Sequence, residues 1–451
     1  MTGKHEAEAG RARLASALIA NGSLTTDWLA SYDAVPRHLF VPDTIWPGRA
    51  DGVRQGRAVH RDTDPAAWWE AVHSDVPLTT QWDDGEHTGD DVGTMPTSSN
   101  SMPTMVFSML AALDVEDGHR ILEIGTGTGW NAALLAHRVG SGNVVSVEVD
   151  RVSAAAAERR LARAGYTPRL VVGDGAEGHP EAAPYDRVIA TCSVGRVPYA
   201  WVAQARPGAV IVAPWGPEYG GEALVRLTAA DDGTASGRFV GSSAFMRLRR
   251  QRSARPDSLA YLSGPWPADG TASTTSLSPE TVGGWLEMFA VGVQLPGVFP
   301  LTERYDDGTY TLWLHDTAVT SWATADWEPG RAAYEVVQSG PRRLWDEVAA
   351  AWQWWRDKGR PGFDRFGLTV TPSGHTVWLD GPDNPVPLRP GPTVPLSPGP
   401  PTGSRAGGAR PRAQPAMSAS HWSRVGPSCS GSKSGWAASQ AVTWRSTSSV
   451  A

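Results

Sequence analysis

The sequence predicts an α/β protein: a doubly wound, Rossmann-like parallel sheet with an added C-terminal α+β domain and a disordered tail. Three observations carry this. Between residues 101 and 250, short apolar runs alternate with amphipathic stretches, the order expected of βαβ units. The first run passes directly into Gly125-Thr126-Gly127-Thr128-Gly129, a turn of the kind that joins a strand to a helix. After residue 250 the chain becomes Trp-rich and less regular, and after residue 390 aliphatic periodicity is nearly lost.

The elements follow in order. Residues 11–100 mix short helical signals with polar loops and are expected to form an N-terminal helical region. Val106, Met109, Leu110 and Leu113 recur at helical spacing. Residues 121–124 form the first strand, and Trp130-Asn131-Ala132-Ala133-Leu134-Leu135 opens a helix after the glycines. Residues 144–149 make a second buried strand, and Asp150 starts an Ala-rich helix that ends near Ala164. Residues 169–172, 186–190 and 209–213 give three more strands, and 245–249 are expected as the last, with arginines on one face. Farther on, Trp345, Val348, Ala349, Trp352 and Trp355 are spaced as a core-facing helix or as an aromatic groove for a peptide. Trp285, Trp313, Trp322 and Trp327 fit either reading.

Four zones result: 11–100, 101–250, 251–390 and 391–451. A net charge of −7 argues against a dedicated nucleic-acid binder. No apolar run is long enough to span a membrane, and residues 1–10 lack the apolar core of a secretory signal. With Cys192 and Cys429 alone, no disulfide scaffold is expected, and a cytoplasmic location fits. The last zone carries Arg405, Arg410, Arg412, Arg424, Lys433 and Arg445 and no acid. It reads as a disordered tail, as a basic arm for an acidic partner, or, from residue 418, as out-of-frame translation.

The glycine turn needs its surroundings to mean more than a tight bend. Glu148 lies at the end of the second strand, where a carboxylate accepts bonds from two ribose hydroxyls. Asp174, in Gly173-Asp174-Gly175, follows the third strand. A dinucleotide site wants Gly-x-Gly-x-x-Gly, yet Trp130 stands where its last glycine is needed. Glu123, just before the turn, repels a diphosphate and suits the ammonium and sulfonium groups of S-adenosylmethionine. The fold class is therefore a methyltransferase sheet that uses this donor, and a nicotinamide oxidoreductase is disfavoured.

With these residues in view, Leu122-Glu123-Ile124-Gly125-Thr126-Gly127-Thr128-Gly129-Trp130 resembles the first motif of the protein-L-isoaspartate O-methyltransferases. Val172-Gly173-Asp174-Gly175 and Gly178-His179-Pro180-Glu181-Ala182-Ala183-Pro184-Tyr185-Asp186 are similar to that family's Gly-Asp-Gly…Gly-Trp-Pro…Ala-Pro-Phe-Asp run. Pro207-Gly208 and Pro214-Trp215-Gly216 continue the likeness. Upstream, Val35-Pro36-Arg37-His38-Leu39-Phe40-Val41-Pro42 and Ser74-Asp75-Val76-Pro77-Leu78 match two further elements in the family's order. Three features depart. Ser101-Met102-Pro103 replaces Ser-Gln-Pro, the linker from Gly48 to His73 is long, and residues 251–390 have no counterpart in the short repair enzymes. A similar layout is seen in actinobacterial enzymes encoded with ribosomally made peptides, thought to methylate an Asp that closes to an aspartimide.

The resemblance implies methyl transfer from the sulfonium to the carboxylate of an Asp or isoAsp in a peptide or protein, followed by succinimide closure. Such a carboxylate, of pKa ~4, is already ionised at neutral pH and needs no general base. Gly125, Thr126, Gly127 and Gly129 are expected to hold the donor's methionine part, with Glu123 beside it. Glu148 takes the ribose, and Asp174 with Gly175 the adenine edge. Ser101, with Thr97 and Ser99, is the catalytic set that donates to the acceptor carboxylate; alternatively Ser99 caps the next helix. Cys192 reads as a small buried residue, and residues 82–91 as a solvated acidic loop or a gate for a cationic peptide. No metal is expected, because no histidine pair has ligand spacing. The partner is a peptide or protein bearing Asp or isoAsp, with no nucleic acid and no membrane. Alternatives are general isoaspartate repair or a peptide-binding homologue without turnover.

Overall fold

The computed structural model describes residues 2–48, 57–253, 255–256 and 258–389. Helices α1 (Thr2–Ala20) and α2 (Thr26–Ala34) open the chain and bury Leu14, Leu18, Trp28 and Tyr32 against the core of the central sheet. Strands β1 (Thr44–Pro47) and β2 (Val59–His60), helix α3 (Pro65–Val72), and strands β3 (Leu78–Trp82) and β4 (Pro96–Asn100) follow. The four strands form a sheet of order β2-β1-β3-β4, and α3 lays Trp68 and Val72 against Ile45 and Leu78. The N-terminal region is thus not simply helical. Its strands are short and rich in Thr, Ser and Gln, so no apolar alternation announces them.

The central sheet is assembled from α4 (Pro103–Leu113), β5 (Ile121–Ile124), α5 (Trp130–Val139), β6 (Val144–Glu148), α6 (Arg151–Arg163), β7 (Arg169–Val172), β8 (Tyr185–Ala190), α7 (Tyr199–Ala203), β9 (Ala205–Trp215), β10 (Glu222–Ala229) and β11 (Ala235–Ser243). Strands β7-β6-β5-β8-β9 run parallel, and β10 and β11 add on antiparallel. Every residue of β5 is buried, as expected where helices cover both faces. Strand order reverses between β5 and β8, so the crevice beyond their C-terminal ends is the natural ligand site.

Residues 245–249 are not the last strand. They leave the sheet, form one isolated bridge from Arg247 to Ser193, and end in a 3-10 turn over Arg249–Gln251. The edge at β11 is taken by a later strand, and the arginines turn to scattered carboxylates instead of sharing one face.

The third zone comprises β12 (Thr271–Thr275), α8 (Trp285–Gly292), β13 (Val298–Arg304), β14 (Tyr310–Asp316), β15 (Trp322–Trp327), β16 (Tyr334–Ser339), α9 (Leu344–Asp357), β17 (Phe366–Thr371) and β18 (Gly374–Leu379). Five of these strands make an antiparallel sheet of order β12-β16-β15-β14-β13. Helix α9 buries Trp345, Val348 and Ala351 against Leu312, Leu314 and Ala323 of that sheet. Each large apolar side chain so buried contributes ~1.5–3 kcal/mol, which makes this a core helix rather than a free aromatic groove. On the sheet's other face Trp313, Trp322 and Phe299 are buried with Tyr261. The zone is not closed on itself: the β17–β18 hairpin joins β11 and extends the central sheet to nine strands. The tail from residue 390 lies outside the described residues. Among the described residues no helix is long and apolar enough to cross a membrane.

Candidate active site

The glycine turn sits at the C-terminal end of β5. Gly125, Gly127 and Gly129 adopt φ of +94°, +53° and +92°, values that side-chain-bearing residues rarely take. A Cβ on Gly125 would come 2.6 Å from the Thr191 hydroxyl, which instead donates to the Gly125 carbonyl at 2.6 Å. Glu148 caps the next strand. Its two oxygens accept from the amides of Gly127 at 2.9 Å and Asp150 at 3.0 Å, leaving lone pairs for further donors.

Glu123 stands elsewhere than expected. It is fully buried, with Asn131 donating to one oxygen at 2.7 Å and Ser146 to the other. Burial pushes its carboxyl up to about 7 against the lowering effect of those two donors. Glu123 is therefore a strut behind the turn and not an open wall of the cleft. Thr126, also buried, shares the same knot through a 2.6 Å bond with Ser146. The physical reason is position: Glu123 lies inside a four-residue strand whose every side chain is covered.

Asp174 and Gly175 end the third parallel strand, beside Glu148. One Asp174 oxygen accepts from the Ala176 amide at 2.9 Å, and the other meets Arg250 at 3.0 Å. Gly175 is held close to β5, since a Cβ there would sit 2.5 Å from Ile124.

On the acceptor side, Thr97 and Ser99 lie on β4 and Ser101 directly after it. Thr97 donates to Gln81 at 2.9 Å and accepts from the Asp84 amide, so its hydroxyl is committed to the loop. Ser99 does not cap α4, whose N-cap is Met102 without a side-chain bond. Asp75 does that work: its carboxylate accepts from the amide and hydroxyl of Thr104 at 2.8 and 2.6 Å.

Two residues without a role in the sequence reading organise this side. Buried Arg37 donates to the Asn100 side chain at 2.6 Å and to the carbonyls of Val72, Ser74, Val76, Asn100 and Ser101. Desolvation lowers its guanidinium to about 9. Asn100 in turn donates to Thr128 in the glycine turn at 2.9 Å. Trp130 closes the link, donating to the Val35 carbonyl at 3.2 Å and lying under Arg37. In the sequence, Arg37 is marked by its place in the run Val35-Pro36-Arg37-His38-Leu39-Phe40-Val41-Pro42.

A roof crosses the strand ends. Arg249 pairs with Asp84 at 2.9 Å and Asp150 at 3.5 Å, Arg252 also pairs with Asp84 at 2.9 Å, and Arg250 holds Asp174. Residues 82–91 are accordingly a built loop, clasped by two arginines. Cys192 packs beside the core, and burial pushes its thiol up to about 12, which suits no nucleophile.

A family profile for protein-L-isoaspartate(D-aspartate) O-methyltransferase matches residues 69–253. The chain is 34% identical over 244 residues to the protein-L-isoaspartate O-methyltransferase of Methylorubrum extorquens, covering 54% of this chain and 90% of that one. The chain belongs to the protein-L-isoaspartate O-methyltransferase family. It is also 37% identical over 149 residues to the Pyrococcus horikoshii protein of that name, covering 33% of this chain and 67% of that one. A solved protein-L-isoaspartate O-methyltransferase aligns over 82% of this chain and 99% of its own at 20% identity, with a TM-score of 0.46. One from Plasmodium falciparum, in complex with S-adenosyl-L-homocysteine, covers 53% of this chain and 97% of its own at 14% identity, with a TM-score of 0.39.

The enzyme is an S-adenosylmethionine-dependent carboxyl methyltransferase acting on protein isoaspartate. The residues present fit the donor: a backbone laid bare by three glycines, with an acceptor-rich Glu148 beside it at the sheet's switch point.

Proposed function

We propose that the enzyme methylates an Asp or isoAsp carboxylate in a ribosomally made peptide, and that succinimide closure follows. The carrying observation is the link from Arg37 through Asn100 to Thr128, which ties the acceptor strand to the donor turn. In this reading Gly125, Gly127 and Gly129 hold the methionine part, Glu148 the ribose hydroxyls, and Asp174 with Gly175 the adenine edge. When bound, the donor supplies a methyl group on a sulfonium.

The chain's own residues do the rest by position. Ser101, kept in place by its carbonyl bond to Arg37 at 2.9 Å, donates to one carboxylate oxygen so that the other faces the methyl group. Ser99 assists. The roof of Arg249, Arg250 and Arg252 excludes water from the two charges, which raises the reactivity of the carboxylate. The following backbone amide nitrogen then attacks the ester carbonyl and gives up its proton, and methanol departs as the ring closes. Methoxide leaves far more readily than the oxide a free carboxylate would have to expel.

Met102, in place of the family's Gln, and the second sheet beside the central one support a specialised peptide acceptor. In this reading residues 11–100 form the acceptor side, 101–250 the donor sheet, and 251–390 a recognition unit that lends β17 and β18 to that sheet. Labelled donor should methylate an Asp-bearing precursor peptide encoded beside this gene at higher kcat/KM than a generic isoaspartyl peptide. Equal or better use of the generic peptide would assign general repair instead. Methylation of neither would overturn the ribosomal-peptide reading.

A further inference from the structure

A cavity of about 160 Å³ lies against the glycine turn, walled by β3, β4 and α6. Of the residues expected to hold the donor it touches Gly127 alone. Its lining mixes apolar surface from Pro42, Val152 and Ala156 with hydroxyls from Thr80, Ser98, Thr128 and Ser153, and among the described residues its one charged group is Arg160. The Arg160 guanidinium is half-buried, and desolvation lowers its pKa. Among the described residues it makes no hydrogen bond or ion pair. The charges it feels are Arg159 and Arg163, of its own sign, and Asp43, which already faces Arg61. A cation withdrawn from water without a partner costs free energy, and an anion entering the cavity recovers it.

The geometry points to a carboxylate subsite: we propose that this cavity binds an acidic side chain of the acceptor peptide, with Arg160 and Ser98 donating to it. This rests on the reading that the peptide lies along β4 toward Ser101. Ser98 accepts from Thr80 at 3.2 Å, which leaves its own proton for the ligand. Ser98 and Ser101 are three residues apart on a nearly extended segment, ~10 Å at strand rise. The recognised acid therefore lies about three residues from the one that is methylated.

The test uses the full chain saturated with S-adenosyl-L-homocysteine and isoaspartyl peptides bearing Glu or Gln three residues before or after the isoAsp. Peptide affinity is read by fluorescence anisotropy, and methyl transfer is measured separately. One Glu peptide should bind roughly tenfold tighter than its Gln twin. Arg160→Gln should erase that difference, Arg160→Lys should keep most of it, and both should keep the affinity for S-adenosyl-L-homocysteine. Equal binding of Glu and Gln peptides at both positions would overturn the proposal, as would a preference that survives Arg160→Gln. If Arg160→Gln instead weakens S-adenosyl-L-homocysteine, the cavity serves the donor's carboxylate and the proposal also fails. Arg160-dependent binding without methyl transfer would keep the subsite and remove the acceptor reading.

Discussion

The Arg37 guanidinium donates to the side-chain oxygen of Asn100 at 2.6 Å, deep in the protein and 63 residues away in sequence. Replacing Arg37 by Met leaves Asn100 and five carbonyls without their donor. Buried groups left unpaired cost ~1–3 kcal/mol each, so stability should fall by at least ~3 kcal/mol. Urea denaturation measures this. A loss within ~0.5 kcal/mol would show the knot to be incidental.

Glu123 carries a pH signature. Its folded pKa of about 7 lies above the ordinary carboxylate value of 4.5, so the folded state holds its proton longer than the unfolded chain does. The stability this contributes is full below about 4.5 and is lost as pH rises to about 7. Glu123→Gln, which keeps the shape without the ionisation, should melt higher than the wild type at pH 8. The gap should shrink by pH 5. A constant gap across that range would place the Glu123 pKa near its ordinary value.

The clasp of Asp84 on Arg249 and Arg252 is partly exposed, so each pair is worth only ~0–1 kcal/mol. Asp84→Asn should raise the dissociation rate of S-adenosyl-L-homocysteine roughly two- to fivefold. The same change should blunt its dependence on salt. Stopped-flow displacement reads both; an unchanged rate at low salt would mean the roof does not gate release.

The parallel sheet was legible because buried strands write their apolar runs plainly. Residues 121–124 coincide with the buried β5 and Asp150 caps α6 as read, while 169–172 coincide with β7, an edge strand that is half-exposed yet keeps the apolar run Leu170-Val171-Val172. The glycine turn and Glu148 were legible because close approach and a strand-end carboxylate restrict residue type. Strands β3 and β4 were not, since half-exposed polar strands leave no periodic trace. The arginines of 245–249 misled by looking like one face of a strand, although long-range carboxylates set their directions. Glu123 shows the same limit. Its residue type pointed to the donor, but only three dimensions reveal Asn131 and Ser146 taking both of its oxygens.

Glu148 is where the donor assignment is most exposed to test. Calorimetric titration of S-adenosyl-L-homocysteine into wild type and Glu148→Ala should give an affinity at least ~30-fold weaker in the variant, since two charge-assisted hydrogen bonds to the ribose go with the carboxylate. Undiminished binding in a variant that melts like the wild type would contradict a donor held at the ends of β5, β6 and β7.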